Sequence, residues 1–139
     1  MSGEIKISIA LAVYNGENFL SEQLDSILRQ TLDNWELIIS DDGSSDGTLS
    51  IIHKYMSQDS RIHLLENKTR HGCAGNFENA LNHCTGVYIA FCDQDDVWTE
   101  DHLEHLLSII GDKSLAFADA EAVDINLNTL NFFWGKNSS

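Results

Sequence analysis

Residues 35–56 read WELIISDDGSSDGTLSIIHKYM, and the fold turns on how this stretch divides. Trp35 to Ser40 is a short apolar run rich in β-branched side chains, the composition of a buried strand. It empties into a polar loop, Asp41 to Gly47, dense in turn-forming residues. Leu49, Ile52 and Met56 then recur at i, i+3 and i+7, so they share one side of a helix. Ser45 or Asp46 is placed to accept from the free N–H groups of its first turn.

The same alternation extends in both directions. Ile5 to Val13, Arg61 to Leu65, Val87 to Cys92 and, more weakly, Ser114 to Ala118 are the other strand-like runs. Helical periodicity appears at Leu20, Leu24, Ile27 and Leu28, at Phe77, Ala80, Leu81 and Cys84, and at Leu103, Leu106, Leu107 and Ile110. Asn18 and the Thr99-Glu100-Asp101 run mark two more helix starts, and Gly86 and Gly111 two helix ends. Strands that alternate with helices through short connections run parallel, because a helix is needed to bring the chain back in the same direction. The expected class is α/β, a mainly parallel sheet with helices on both faces. Residues 1–125 are expected to form this core. Residues 126–139 read as a polar tail with an aromatic cluster, Phe132, Phe133 and Trp134, that either folds back on the sheet or meets more protein after Ser139. The second is expected, since no closing helix or strand follows.

Composition removes several function classes. The chain has 139 residues, 22 acidic and 8 basic side chains, no proline and a formal charge of −14 with neutral histidines. Such a surface repels a phosphate backbone, which argues against nucleic-acid binding. No apolar run approaches the ~20 residues of a membrane span, and the start lacks the basic and apolar regions of a signal peptide. Cys73, Cys84 and Cys92 are odd in number and form no CxxC pair, so they read as reduced, buried thiols of a cytoplasmic protein.

In a parallel sheet the loops that leave the carboxyl ends of the strands gather along one edge, where ligands bind. Here those loops are Tyr14-Asn15-Gly16, Asp41 to Gly47, Asn67 to Gly75, and Asp93-Gln94-Asp95-Asp96. Two are dense in carboxylates. Two unit charges 4 Å apart repel by about 4 kcal/mol at an effective dielectric near 20, so a cation is expected among them. Asp93 and Asp95, two residues apart where a buried strand opens, can reach one hard ion, and oxygen donors without His or Cys favour Mg²⁺ or Mn²⁺. Its open positions suit phosphate oxygens, so a negative site can hold a diphosphate through the metal. Asp41, Asp46 and Asp96 read equally well as caps or turn formers. Tyr14 alone could simply pack on the sheet edge.

Other motifs fail on inspection. The Asp42 to Gly47 run imitates an EF-hand, but the twelfth position is His53 instead of a bidentate Glu. No GxGxxG follows the first strand, and no P-loop is present. His102 and His105, a helical turn apart, read as a surface or core-edge pair.

Five blocks at ordered spacing carry a resemblance: Ile9 to Gly16 (IALAVYNG), Leu24 to Thr31 (LDSILRQT), Trp35 to Thr48 (WELIISDDGSSDGT), Gly75 to Leu81 (GNFENAL) and Tyr88 to Trp98 (YIAFCDQDDVW). From about Ile7 to about Asp124 the chain resembles the nucleotide-sugar-binding half of family 2 glycosyltransferases, which have the GT-A fold. The resemblance implies that Ala12 and Tyr14 border the nucleotide base and ribose and that Asp42 accepts a hydrogen bond from the base. It places Asp93 near ribose and metal, Gln94 with the donor-binding group, and Asp95 directly on Mn²⁺ or Mg²⁺. Asn76 would face the sugar or phosphate.

Many members carry Pro where this chain has Ala12, and Ala-Arg-Asn where it has Gly75-Asn76-Phe77. That removes an arginine that could touch phosphate, leaving Lys68, Arg70 or His71 to replace it. The GNF and CDQDDVW pieces resemble bacterial enzymes of surface-polysaccharide synthesis, including a rhamnosyltransferase-like branch. The implied partners are a UDP- or dTDP-linked sugar and a glycan or lipid-linked acceptor, at the inner membrane face in the full-length protein. Inverting transfer needs a carboxylate base, expected beyond Ser139, so the fragment is expected to bind donor but transfer poorly. A sheet cut in half leaves an edge open to self-association. Two rivals share the acidic edge. A receiver-like Mg²⁺ module wants its acid pair after the first strand, where Tyr14-Asn15 stands; a nucleotidyltransferase would consume a nucleoside triphosphate.

Overall fold

The computed structural model describes residues 7–92, 96–110, 115–117 and 132–135. In chain order the elements are β1 (Ile7–Val13), α1 (Leu20–Leu28), β2 (Trp35–Asp41), α2 (Thr48–Met56), β3 (Ile62–Glu66), α3 (Cys73–Leu81), β4 (Tyr88–Cys92), α4 (His102–Ile110), β5 (Leu115–Phe117) and β6 (Phe132–Gly135). One six-stranded sheet has the order β3-β2-β1-β4-β6-β5. β3, β2, β1 and β4 are mutually parallel, as their helical crossovers require. β6 is antiparallel to both of its neighbours.

All seven residues of β1 are buried, because both faces of this central strand are covered. Alternate side chains point to opposite faces. Ile7, Ile9, Leu11 and Val13 join Leu37 and Ile39 beneath α1, α2 and α4, which supply Leu20, Leu24, Ile27, Ile52, Tyr55, Leu103 and Leu106. Ala10, Ile38, Ile89 and Phe91 meet Ala80 of α3 and Cys84 in the turn that follows it. Phe77 meets Phe91 edge to face, with ring centroids 5.7 Å apart. Each fully buried Ile or Leu contributes about 1.5–3 kcal/mol by leaving water. The α/β class with helices on both faces therefore holds, three helices on one face and one on the other. No helix among the described residues is long and apolar enough to cross a membrane.

Four expectations need correction. Phe132–Gly135, expected in a tail outside the core, forms β6 inside the sheet, with Ile89 opposite Trp134 and Ala116 opposite Phe133; an apolar β-forming run is stabilised by pairing on both sides. Asn18 does not cap α1: the Gly16 carbonyl accepts from the N–H groups of Phe19 and Leu20. Gly86 serves packing, since a Cβ there would lie 2.7 Å from the Ser8 backbone nitrogen. Cys84 and Cys92 are buried, but Cys73 is exposed because it opens α3 at the sheet edge. Asp46 does serve the start of α2, its Oδ1 accepting from the Thr48 N–H at 2.9 Å and hydroxyl at 2.6 Å. Gly111 lies outside the described residues.

Candidate functional site

Register places the chemistry-bearing loops. Val13 pairs with Asp41, Asp41 with Glu66, and Leu11 with Cys92, so β1, β2, β3 and β4 all end along one edge. The chain continues from there into Tyr14, Asp42, Asn67 and Asp93 respectively.

The first two loops are fastened together before any ligand arrives. Asn15 adopts a left-handed backbone, φ 49°, which asparagine tolerates better than most residues. Its Oδ1 accepts from the N–H groups of Ser45 at 2.8 Å and Asp46 at 3.3 Å, and its own N–H donates to the Ser44 hydroxyl. The Gly16 N–H donates to Thr48 Oγ1, the Glu17 N–H to Asp46, and the Gly47 N–H to Glu17. Asp41 is a turn former, accepting from the N–H groups of Gly43 and Ser44 and from the Ser44 hydroxyl. The Thr48 side chain is the main influence holding the Asp46 carboxyl below its usual range. Asp41 and Asp46 are thus committed to backbone donors.

Asp42 differs. It lines a cleft of about 500 Å³ together with Ala12, Val13, Tyr14, Gly72, Cys73, Asn76 and Phe77. Asp42 Oδ1 accepts from Asn67 Nδ2 at 2.9 Å and lies 2.7 Å from His71 Nδ1, while Oδ2 accepts from the Gly72 N–H at 2.9 Å. Burial alone would raise its pKa, but the Gly72, His71 and Asn67 hydrogen bonds and the His71 charge together hold it below the usual carboxylate range. At neutral pH the carboxylate is ionised, and one of its four lone-pair positions remains unused.

The structure therefore gathers Ala12, Tyr14, Asp42 and Asn76 on one cleft. Tyr14 is 53% exposed at the mouth, where its ring can stack on a planar ligand. Asn76 belongs to the floor instead: Oδ1 accepts from the Ser40 hydroxyl at 2.6 Å and Nδ2 donates to the Val13 carbonyl at 3.2 Å. Its polar atoms fasten α3 to the sheet, against the expectation that they face sugar or phosphate. Among the candidate replacements for the missing arginine, Lys68 is 3.7 Å from Glu66 and Arg70 is 3.1 Å from Glu78, both exposed pairs, whereas His71 turns onto Asp42. Gly72, Cys73 and Phe77 were not anticipated in the cleft, nor was Asn67 bonded to Asp42 behind it; the signal available was the glycine at position 72 just before a helical pattern, which in the structure takes φ 101°.

Asp93, Gln94 and Asp95 lie outside the described residues. Among the described residues no group of three or more His, Cys, Asp or Glu is arranged to hold a metal. The acids on the Asp41–Asp46 loop already accept from backbone or side-chain donors, so they do not compete for one. The oxygen-only donor set of residues 93–96 fits a hard divalent ion.

The model of "Glycosyl transferase family 2" matches residues 8–138. The chain is 38% identical over 124 residues to the Escherichia coli UDP-Glc:alpha-D-GlcNAc-diphosphoundecaprenol beta-1,3-glucosyltransferase WfgD, covering 89% of this chain and 48% of that protein. It is 41% identical over 111 residues to the putative glycosyltransferase EpsE of Bacillus subtilis, covering 79% of this chain and 40% of that one. The mannosyltransferase PcManGT of Pyrobaculum calidifontis, solved with GDP-Man and Mn²⁺, superposes with a TM-score of 0.76 at 25% identity, covering 88% of this chain and 38% of that one. The chain thus spans about half the length of the curated relatives it matches.

Proposed function

Because the chain belongs to glycosyl transferase family 2, we propose that it forms the donor-binding part of a metal-dependent transferase that moves a sugar from a uridine or deoxythymidine diphosphate to a lipid-linked or glycan acceptor. The observation that carries the reading is the cleft holding Asp42. Among the described lining residues the charged group is the ionised Asp42 carboxylate, set among apolar and aromatic walls. Such a cleft repels phosphate and accepts an uncharged ring that offers an N–H, which describes a nucleobase. The diphosphate then lies toward the end of β4, where Asp93 and Asp95 would hold the divalent ion.

When bound, the ion neutralises charge on the departing diphosphate. Asp42 and Tyr14 fix the base, and with it the position of the anomeric carbon relative to an incoming hydroxyl. No residue of this chain is assigned as the general base. The acceptor class is supported by the WfgD relative, whose name carries a UDP-linked donor and a diphosphoundecaprenol acceptor, and the metal dependence by the negative charge of the chain, which needs a cation to admit a diphosphate.

Calorimetry with UDP, dTDP and GDP, with and without Mn²⁺, tests the proposal. The wild-type chain is expected to bind a pyrimidine diphosphate in a Mn²⁺-dependent way, and Asp95→Ala to lose the metal-dependent part. Absence of nucleotide affinity in the presence of Mn²⁺ refutes it.

A further inference from the structure

We infer that Asn67 is a positioning residue that keeps Asp42 an ionised acceptor in the cleft, so that the site selects bases presenting a ring N3–H, such as uracil or thymine, over cytosine, whose N3 carries a lone pair. The inference rests on the reading of the cleft as a base site and adds what sets its selectivity.

Asn67 is only 4% exposed, and its contacts fix it completely. Its backbone N–H donates to the Asp41 carbonyl at 2.8 Å, which ties it to the end of β2. Nδ2 donates to the Arg70 carbonyl at 2.8 Å and to Asp42 Oδ1 at 2.9 Å, which uses both amide hydrogens. Oδ1 faces the Thr69 N–H and hydroxyl, each at 3.4 Å. A flipped amide would set its oxygen against two acceptors, so only one orientation is compatible with the site.

The other two donors to Asp42 come from exposed residues, His71 and Gly72. Asn67 is the buried one, and water replaces it least easily. Among the described residues the remaining titratable groups around Asp42 are Asp41 at the end of β2, already bonded to Gly43 and Ser44, and Tyr14 and Cys73, which share the cleft. His71 is bonded to the carboxylate.

An ionised carboxylate can only accept. It matches the N3–H of uracil or thymine and repels the N3 lone pair of cytosine. A protonated carboxyl would donate to cytosine instead. Anything that raises the pKa of Asp42 therefore narrows the preference between the two pyrimidines.

Asn67→Asp is nearly isosteric and exchanges the donor for a second carboxylate oxygen against Asp42, where the like charges repel and the pair holds a proton more tightly. The test compares wild type and Asn67→Asp for binding of UDP, CDP and inorganic pyrophosphate, each with Mn²⁺, at neutral and mildly acidic pH. The Asp42 carboxyl carbon is titrated by NMR in both proteins.

The expected result is about tenfold or greater loss of UDP affinity in the variant, unchanged pyrophosphate binding, and a higher Asp42 titration midpoint. The UDP-to-CDP preference should narrow and fall further with acid. Unchanged selectivity with an unchanged Asp42 titration overturns the inference, as does an equal loss of UDP and pyrophosphate, which would mean Asn67 acts only through folding. A wild-type chain that binds no nucleotide refutes the base-site reading instead. The Asp42 titration in the two proteins then still decides whether Asn67 holds that carboxylate ionised.

Discussion

Gly75 shows how a single atom shapes the site. In the sequence it marks only a departure from the family's alanine. In the structure a Cβ at this position would sit 2.0 Å from the Arg70 carbonyl oxygen and 2.8 Å from its carbon. Backbone cannot yield as a flexible side chain can, so α3 and the turn carrying Asn67, His71 and Gly72 close on each other only because residue 75 has no side chain. Gly75→Ala is expected to cost about 1–3 kcal/mol, the range for overpacking, measured by urea unfolding, and to weaken nucleotide binding through displacement of the turn. A variant as stable as wild type would show that the close approach is unimportant. The residue types around Asp42 were half legible: Tyr14 and Asp42 stand directly after apolar strands, while Asn67 has no pattern that distinguishes it from any loop asparagine.

At the scale of elements, the packing of α1 on the segment before α4 is polar where periodicity would suggest apolar contact. Gln23, Ser26 and Gln30 are all buried. Ser26 Oγ accepts from the Trp98 N–H, and Gln30 donates to the Thr99 carbonyl at 2.7 Å while accepting from the Leu103 N–H at 3.0 Å. Gln30, just past the end of α1, thereby caps α4 from another chain segment, which hydropathy cannot reveal because these residues read as a solvent face. His102 stacks on Trp98 with centroids 4.4 Å apart, in line with the core-edge reading of the His102–His105 pair.

Burial first, with the nearby His105 adding to it and Asp101 opposing, pushes His102 down to about 4. The folded state keeps it neutral while the unfolded chain takes up a proton below about pH 6.5. Stability from this group is therefore lost as pH falls from about 6.5 toward 4, by up to about 3 kcal/mol. His102→Phe retains an aromatic partner for Trp98 and is expected to flatten this acid sensitivity, read as the difference between wild-type and variant urea unfolding across that range. Parallel pH profiles for the two proteins would contradict it.

On the scale of the whole molecule, β6 is the strand whose place was least legible in the sequence. Four residues near the end of the sequence insert between β4 and β5, and β4 leads directly into Asp93. Deleting residues 126–139 is expected to turn β4 into an edge strand with unpaired N–H and C=O groups. The prediction is a lower melting temperature and self-association, checked by calorimetry and size-exclusion chromatography. A monomer that melts like the full chain would show that β6 contributes little.

Local pattern by itself determined the order of strands and helices, their parallel crossovers and the edge where Tyr14, Asp42 and Asp93 would emerge, since side-chain periodicity reports which face of an element meets the core. Only the tertiary structure decided where Phe132–Gly135 pairs and which groups surround Asp42. Asn67 lies 25 residues and His71 29 residues from Asp42 in sequence, and a hydrogen bond across that distance depends on strand register and a tight glycine approach, neither of which leaves a periodic trace.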